Sequence, residues 1–299
     1  MSESASRARL GVIASVLSSI IFGVVFILSA SLDFTGNVFF GWRIVFAVAL
    51  LLGFLGVTRR LPALRDLLRR LRGNPRLILA LVLSAAMLGF QQWLFTWAPG
   101  EGRGLPLALG YLVMPIALAL TGRLLFRERL GPWRIAAVSV AAVGVGYQIW
   151  QFGGLSWETL AVTLGYPIYF AVRRFARIEG SAGLTAEMIL ILPVALALLL
   201  IDDPTLATLR DPGSALSLSL FAVLGAGALA LYIGASQLLP LSLFGMLSYL
   251  EPVLLIVAAT VVLAEPLSAQ ELPTYAAIAL ALVLLAGEGF RRRGPKTSL

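Results

Sequence analysis

The sequence predicts an all-α polytopic membrane protein, with ten transmembrane helices arranged as two inverted five-helix repeats. Three observations carry that expectation. Of 299 residues, 59% are hydrophobic and 13% charged, where an ordinary soluble domain has about 25% charged residues. Ten apolar stretches of bilayer-crossing character succeed one another along the chain. The arginines between them crowd into alternate connections. A 31.9 kDa globule of mean hydropathy +0.93 lacks the charge to solvate its surface, which excludes water-soluble, disordered and fibrous classes. Runs of Leu, Ala and Val, without apolar/polar alternation, argue against a strand barrel.

The first expected span, Leu10–Leu32, follows Arg7 and Arg9. This looks like a signal peptide, but its apolar stretch outruns the about 7–15 residues of such a core, so an uncleaved helix is expected. Val38–Thr58 is the second span and contains Arg43. Seven arginines from Arg59 to Arg76 then mark a connection in contact with anionic lipid. Leu77–Ala98 carries a polar and aromatic cluster, Gln91, Gln92, Trp93, Thr96 and Trp97. Leu105–Phe126 holds Tyr111 and Pro115, and Ile135–Gln151 is lined with the small residues Ala137, Ala141 and Gly144. Trp157–Val172, with Tyr166, Pro167 and Tyr169, and Glu187–Leu200 are the shortest spans. Ala215–Leu238 contains Gly225, Gly227 and Gly234. Small residues in both places read as close helix packing. Leu243–Leu263 contains Tyr249, Glu251 and Pro252, and Leu272–Gly287 completes the set.

With the N-terminus inside, 20 of the 23 basic residues fall in inner segments, Arg103 and Arg210 fall in outer ones, and Arg43 lies within a span. That asymmetry predicts cytoplasmic termini. The halves also resemble each other. Pro115 precedes Glu128 by 13 residues, and Pro252 precedes Glu265 by the same interval. The offset makes each half five helices, residues 1–151 and 152–299, and an odd number of spans forces opposite orientations. The loop after the fourth span has four arginines, whereas its counterpart AEPLSAQEL has none, as inversion requires.

There is no cysteine and no histidine. Disulfides, thiolate or imidazole metal sites and Ser-His or Cys-His pairs are excluded, and no cofactor or metal is expected. The pair Asp202-Asp203 sits in an outer loop without a partner base, which disfavours an intramembrane enzyme. Rings of like charge or a carbonyl filter, expected of a channel, are not visible. The net charge of +8 sits in short runs beside apolar segments, so it reads as topology marking and contact with membrane lipid, with no nucleic-acid partner.

The stretches WAPGEGRGLPLALGYLVMPIALALTGRLLFRERL, GYQIWQFGGLSW, LGYPIYFAVRR and LPLSLFGMLSYLEPVLLIVAATVVLAEPLS resemble the EamA-type transporters of the drug/metabolite transporter superfamily, and within it the RarD branch. The resemblance covers nearly the whole chain. It implies ten helices in two repeats, both termini cytoplasmic in a bacterial inner membrane, and carriage, by export, of a small organic metabolite or drug through a central cavity. Facilitated passage without proton coupling is the alternative, and homodimerisation is left open. The chain departs from the branch at Phe22-Gly23, Trp42-Arg43, Gln92-Trp93, Ser248 and Glu251, and lacks a lysine expected later in the first span. Substrate identity is therefore not carried over.

Candidate substrate-binding residues are Arg43, Gln92, Trp93, Tyr111, Tyr249 and Glu251, with Tyr166 and Tyr169 as further candidates. Glu251 lies about nine residues into its span, ~13 Å deep at 1.5 Å per residue. An acid there is functional by default, and desolvation makes it a candidate proton carrier; the alternative is a neutral or paired structural carboxyl. Arg43 either snorkels to the headgroups or faces inward toward a substrate carboxylate or Glu251. Gln92 and Thr96 share one helix face, as do Trp93 and Trp97. Pro115 and Pro252 each remove a backbone donor mid-span, giving a hinge, a cavity-lining carbonyl or a packed kink.

Overall fold

The computed structural model describes residues 3–127, 131–178, 180–239, 247 and 250–291. All regular structure among them is helical: α1 (Glu3–Ser31), α2 (Gly36–Val57), α3 (Leu61–Leu71), α4 (Pro75–Trp97), α5 (Gly104–Phe126), α6 (Pro132–Phe152), α7 (Trp157–Ala176), α8 (Ser181–Asp202), α9 (Pro212–Leu238), α10 (Leu250–Val257) and α11 (Leu272–Arg291). Among the described residues six helices are long and apolar enough to cross a bilayer: α1, α2, α4, α5, α8 and α9. Shorter apolar stretches lie at Ile135–Gln151, Leu250–Val262 and Leu272–Leu284. The chain is a multi-pass helical membrane protein.

Local chemistry sets the helix ends. Thr35 and Asn74 cap α2 and α4, accepting from Val38 N at 3.3 Å and Leu77 N at 3.1 Å. Pro75, Pro132 and Pro212 open α4, α6 and α9, where a missing N–H costs nothing. Gly153, at φ +76°, closes α6 in the left-handed conformation.

Two elements differ from the sequence expectation. The arginine-rich connection contains α3, which buries Leu64 and Leu67 against Leu55, Leu77, Leu81 and Ile178. The segment expected to begin at Glu187 begins at Ser181, so Glu187 lies in the second turn of α8. The charge had masked the helical character of Ser181–Ala186.

The described chain divides into two compact units, and each draws on both sequence halves. One comprises residues 1–20, 105–164 and 231–299. In it α6 lies on α11 at Gly144, where a Cβ would stand 2.7 Å from Ala277 Cβ, and the Thr274 hydroxyl donates to Gln148 Oε1 at 2.8 Å. Buried Ala137 and Ala141 fit the same close packing. The Thr159 hydroxyl donates to the Pro106 carbonyl at 2.7 Å, tying α7 to α5.

The other unit comprises residues 21–104 and 165–230. Its core is aromatic: Phe39 meets Phe221 with ring centroids 4.4 Å apart, and Phe26 meets Phe95 edge-on at 5.8 Å. At Gly41 a Cβ would stand 2.6 Å from Leu199 Cβ, so α2 and α8 approach closely. The expected packing role of Gly227 here, and of Gly234 in the first unit, is not seen: among the described residues nothing beyond their own helix lies within 4 Å of a Cβ built there, and Gly225 faces Arg43.

Candidate functional site

In the unit of residues 21–104 and 165–230, α2 and α4 bring Arg43 and Gln92 together. They line a cleft of about 60 Å³ with Phe22, Ala47, Gly225 and Leu229. That volume holds a few waters and no drug-sized molecule. Arg43 is 7% exposed, so it does not snorkel into the open. Its guanidinium carbon stands 4.8 Å over the Phe95 ring, a cation–π contact. Gly225 faces the arginine at ordinary contact distance: a Cβ there would lie 4.0 Å from its Nε.

Trp93 is held elsewhere in the same unit. Its Nε1–H donates to Asn37 Oδ1 at 2.9 Å, and Asn37 Nδ2 donates to Asp202 Oδ2 at 3.1 Å. Asp202 also accepts from the Thr35 hydroxyl. Trp93 stacks between Phe90 and Trp97, with centroids 5.9 and 5.2 Å away. Thr96 bonds to the Gly36 and Trp93 carbonyls and is fully buried. The cluster read from the sequence thus separates into a cleft residue, Gln92, and an anchored aromatic stack. Gln91 is buried, its amide nitrogen 2.0 Å from where a Gly165 Cβ would be; only glycine leaves it that place.

The unit also holds a buried polar network that the sequence reading missed. Glu187 on α8 is 0% exposed. Its Oε1 accepts from the Ser84 hydroxyl on α4 at 2.7 Å, and its Oε2 accepts from the Tyr169 hydroxyl and Arg173 Nη1, both at 3.1 Å. Arg173 Nη1 also donates to the Tyr169 oxygen, and Nη2 reaches the Ile178 and Gly180 carbonyls at 3.2 and 3.0 Å. Arg173, counted above among loop cations, is buried in the last turn of α7. Tyr169 takes its place in this network, and Tyr166 stacks on Phe170 at 6.3 Å. An acid two turns into an apolar helix, with an arginine across a short loop, is the signal that would have found the network.

In the unit of residues 1–20, 105–164 and 231–299, Tyr111 is buried on α5 four residues before Pro115, which stands inside that helix. Glu251 is half-buried and Pro252 buried, second and third in α10. Tyr249, Ser248 and Glu128 lie outside the described residues. A second cleft of about 60 Å³ is lined by Gln148, Ser156, Thr159, Glu271 and Tyr275. Glu158 is fully buried in the first turn of α7, another acid the sequence reading did not single out. Glu265 accepts from Leu105 N at 2.6 Å, capping the start of α5. It follows a π turn, Ala258–Val262, in which the Thr260 hydroxyl bonds back to the Ile256 carbonyl at 2.7 Å.

Asp202, at the end of α8, and Asp203 after it are both structural acceptors. Asp203 takes the backbone N–H groups of Ala207 at 2.7 Å and Thr208 at 3.2 Å, and the Thr208 hydroxyl. Those bonds, the hydroxyl's first, hold its carboxyl below the usual carboxylate range. Asp211 is lowered likewise by the N–H of Ser214 at the start of α9. Among the described residues no cluster could hold a metal ion.

The chain is 38% identical over 250 residues to the chloramphenicol-sensitive protein RarD of Pseudomonas aeruginosa, covering 83% of this chain and 84% of that protein. It belongs to the RarD branch of the EamA-type transporters. An uncharacterized transporter of Pasteurella multocida is 34% identical over 283 residues, 94% of this chain and 97% of the relative. The RarD protein of Salmonella typhi is 32% identical, with 81% of each chain covered. No protein-family model matches the chain. One crystal structure, 18% identical, superposes with a TM-score of 0.51 over 97% of this chain and 99% of its own, a likeness of fold alone. The RarD-branch resemblance read from the sequence is thereby established, and with it membership in a family of membrane transporters.

Proposed function

We propose that this RarD-branch protein is a secondary transporter that exports a small organic metabolite or drug across the bacterial inner membrane. In this reading its ten spans form two inverted five-helix repeats, residues 1–151 and 152–299, with both termini cytoplasmic. The repeats rock around a site near the midplane in alternating access. The supporting observation is Arg43, a guanidinium buried on a helix long enough to span and, with Gln92, the polar part of a mostly apolar cleft. A charge kept inside a membrane helix marks a ligand path. Beside an aromatic ring and an amide it suits a ligand that joins an apolar body to a carboxylate or other anionic oxygen.

Gln92 and Arg43 form the polar wall of this site. Phe22 and Phe95 supply its aromatic surface, and Trp93 is anchored on Asn37 outside it. In the other unit Tyr111 and Tyr249 stand as ligand contacts, Pro115 and Pro252 as hinges and Glu251 as the carrier of the coupled proton. Relatives named as transporters over most of this chain's length support transport in preference to catalysis.

The test is counterflow. Compounds that raise the melting temperature of the purified protein are first selected from amino acids, nucleosides and antibiotics, chloramphenicol included. Each is then loaded into proteoliposomes and exchanged against external label. Saturable counterflow, lost in Arg43→Gln and weakened in Arg43→Lys, is the expected result. Stabilising compounds that show no flux above empty liposomes would overturn the reading.

A further inference from the structure

Helix α3 has three distinct sides. Leu64, Leu67 and Leu71 point into its own unit, against Leu55, Leu77, Leu81 and Ile178. One neighbouring edge is tied to the turn after α7, where Arg70 donates to the Arg177 and Ala176 carbonyls at 3.2 and 3.4 Å. At about 100° per residue, Leu61, Arg65, Leu68 and Arg72 fall within about 60° of one another on the opposite edge. That edge is open. Leu61 is 38% exposed and Leu68 50%, and both arginines are exposed. Among the described residues the guanidinium groups of Arg65 and Arg72 have no hydrogen-bond or ion-pair partner, whereas Arg69 meets Asp66 at 3.6 Å.

The connections fix where this edge can be. Residues 58–60 join α3 to α2, and 72–74 join it to α4, both long enough to span a bilayer. Three residues reach at most about 10 Å, so α3 stays at the level of the lipid headgroups. Alternating leucines and arginines at that depth match a molecule with an anionic head and an apolar tail. A soluble polyanion would leave the leucines uncovered.

We propose that the Leu61, Arg65, Leu68, Arg72 edge of α3 binds an anionic phospholipid. The two guanidinium groups hold the phosphate, and the leucines cover the upper acyl chains. The site does not depend on what the protein transports.

The full chain is placed in nanodiscs of phosphatidylcholine alone or mixed with phosphatidylglycerol. Melting temperature and co-retained lipid, by native mass spectrometry, are measured. Phosphatidylglycerol is expected to raise the wild-type melting temperature. Arg65→Gln with Arg72→Gln should remove more than half of that rise and reduce retained phosphatidylglycerol at least about tenfold. Arg65→Lys with Arg72→Lys, and Arg69→Gln alone, should keep both. Inorganic phosphate added to phosphatidylcholine discs should not reproduce the rise. A wild type indifferent to phosphatidylglycerol, a glutamine pair that responds like wild type, a lysine pair as deficient as the glutamine pair, or a rise produced by phosphate alone would each overturn the proposal.

Discussion

Replacing Glu187 by alanine should cost more stability than most single changes in this chain, and the contacts say how much. The substitution deletes the acceptor for the Ser84 hydroxyl, the Tyr169 hydroxyl and Arg173 Nη1. Arg173 keeps the Ile178 and Gly180 carbonyls but loses its counter-charge in a place that water does not reach. Breaking a buried pair by removing one partner costs about 3–5 kcal/mol, much of it the stranded charge. At roughly 2–4 °C per kcal/mol for a large chain, the melting temperature should fall on the order of 10 °C. Glu187→Gln keeps shape and an acceptor and should fall by less. Because the penalty comes from the orphaned guanidinium, Glu187→Leu combined with Arg173→Met should melt above Glu187→Ala. Melting followed by intrinsic fluorescence in detergent micelles reads these proteins together with the single variants Glu187→Leu and Arg173→Met. A fall of under about 2 °C for Glu187→Ala, or a double variant that loses the sum of the two single losses, would refute the reasoning.

Gly165→Ala should lower the melting temperature by a few degrees, by driving the Gln91 amide from its buried position; in a Gln91→Ala background the same change should be nearly neutral, and a persisting loss counts against the account. Asp203→Asn should flatten the acid limb of a melting profile against pH. The folded carboxyl is held below its ordinary 3.8, so the stability it adds is complete above that value and is lost as pH falls through the lowered one. A limb identical in wild type and variant contradicts this. Glu251→Gln should abolish the pH-dependence of transport in proteoliposomes, and unchanged dependence removes Glu251 as the proton carrier.

The helical membrane class was plain in the composition, because no soluble surface can be built from so few charges. Which connections were themselves structured was not. In α3 the leucines at 61, 64, 67, 68 and 71 keep a helical period, but seven neighbouring arginines made the segment read as a loop. Only the tertiary pocket formed by Leu55, Leu77 and Ile178 gives that stripe a place to go. Arg43 and Gln92 stood out as polar residues in apolar helices, and they do line one cleft. Trp93 stood out equally, yet its indole is spent on Asn37, a partner 56 residues away that no local pattern reveals. Glu187 was placed at a span's edge because charge usually marks a membrane boundary. Its burial follows from Arg173, which reaches it through the hairpin between α7 and α8.

The π turn at Ala258–Val262 has a consequence for the chain's tolerance of length change. A wide turn of this kind takes up one residue more than an α turn, and each residue advances an α-helix by about 100°. Deleting a single position there would let the turn close as an ordinary α turn with the following chain kept in phase, and the Glu265 carboxylate could keep the Leu105 amide it clasps at 2.6 Å. A deletion in the α turns before it has no such surplus to draw on and would swing the carboxylate away. This short stretch carries one residue of slack, so a single loss inside it is the length change this corner can absorb.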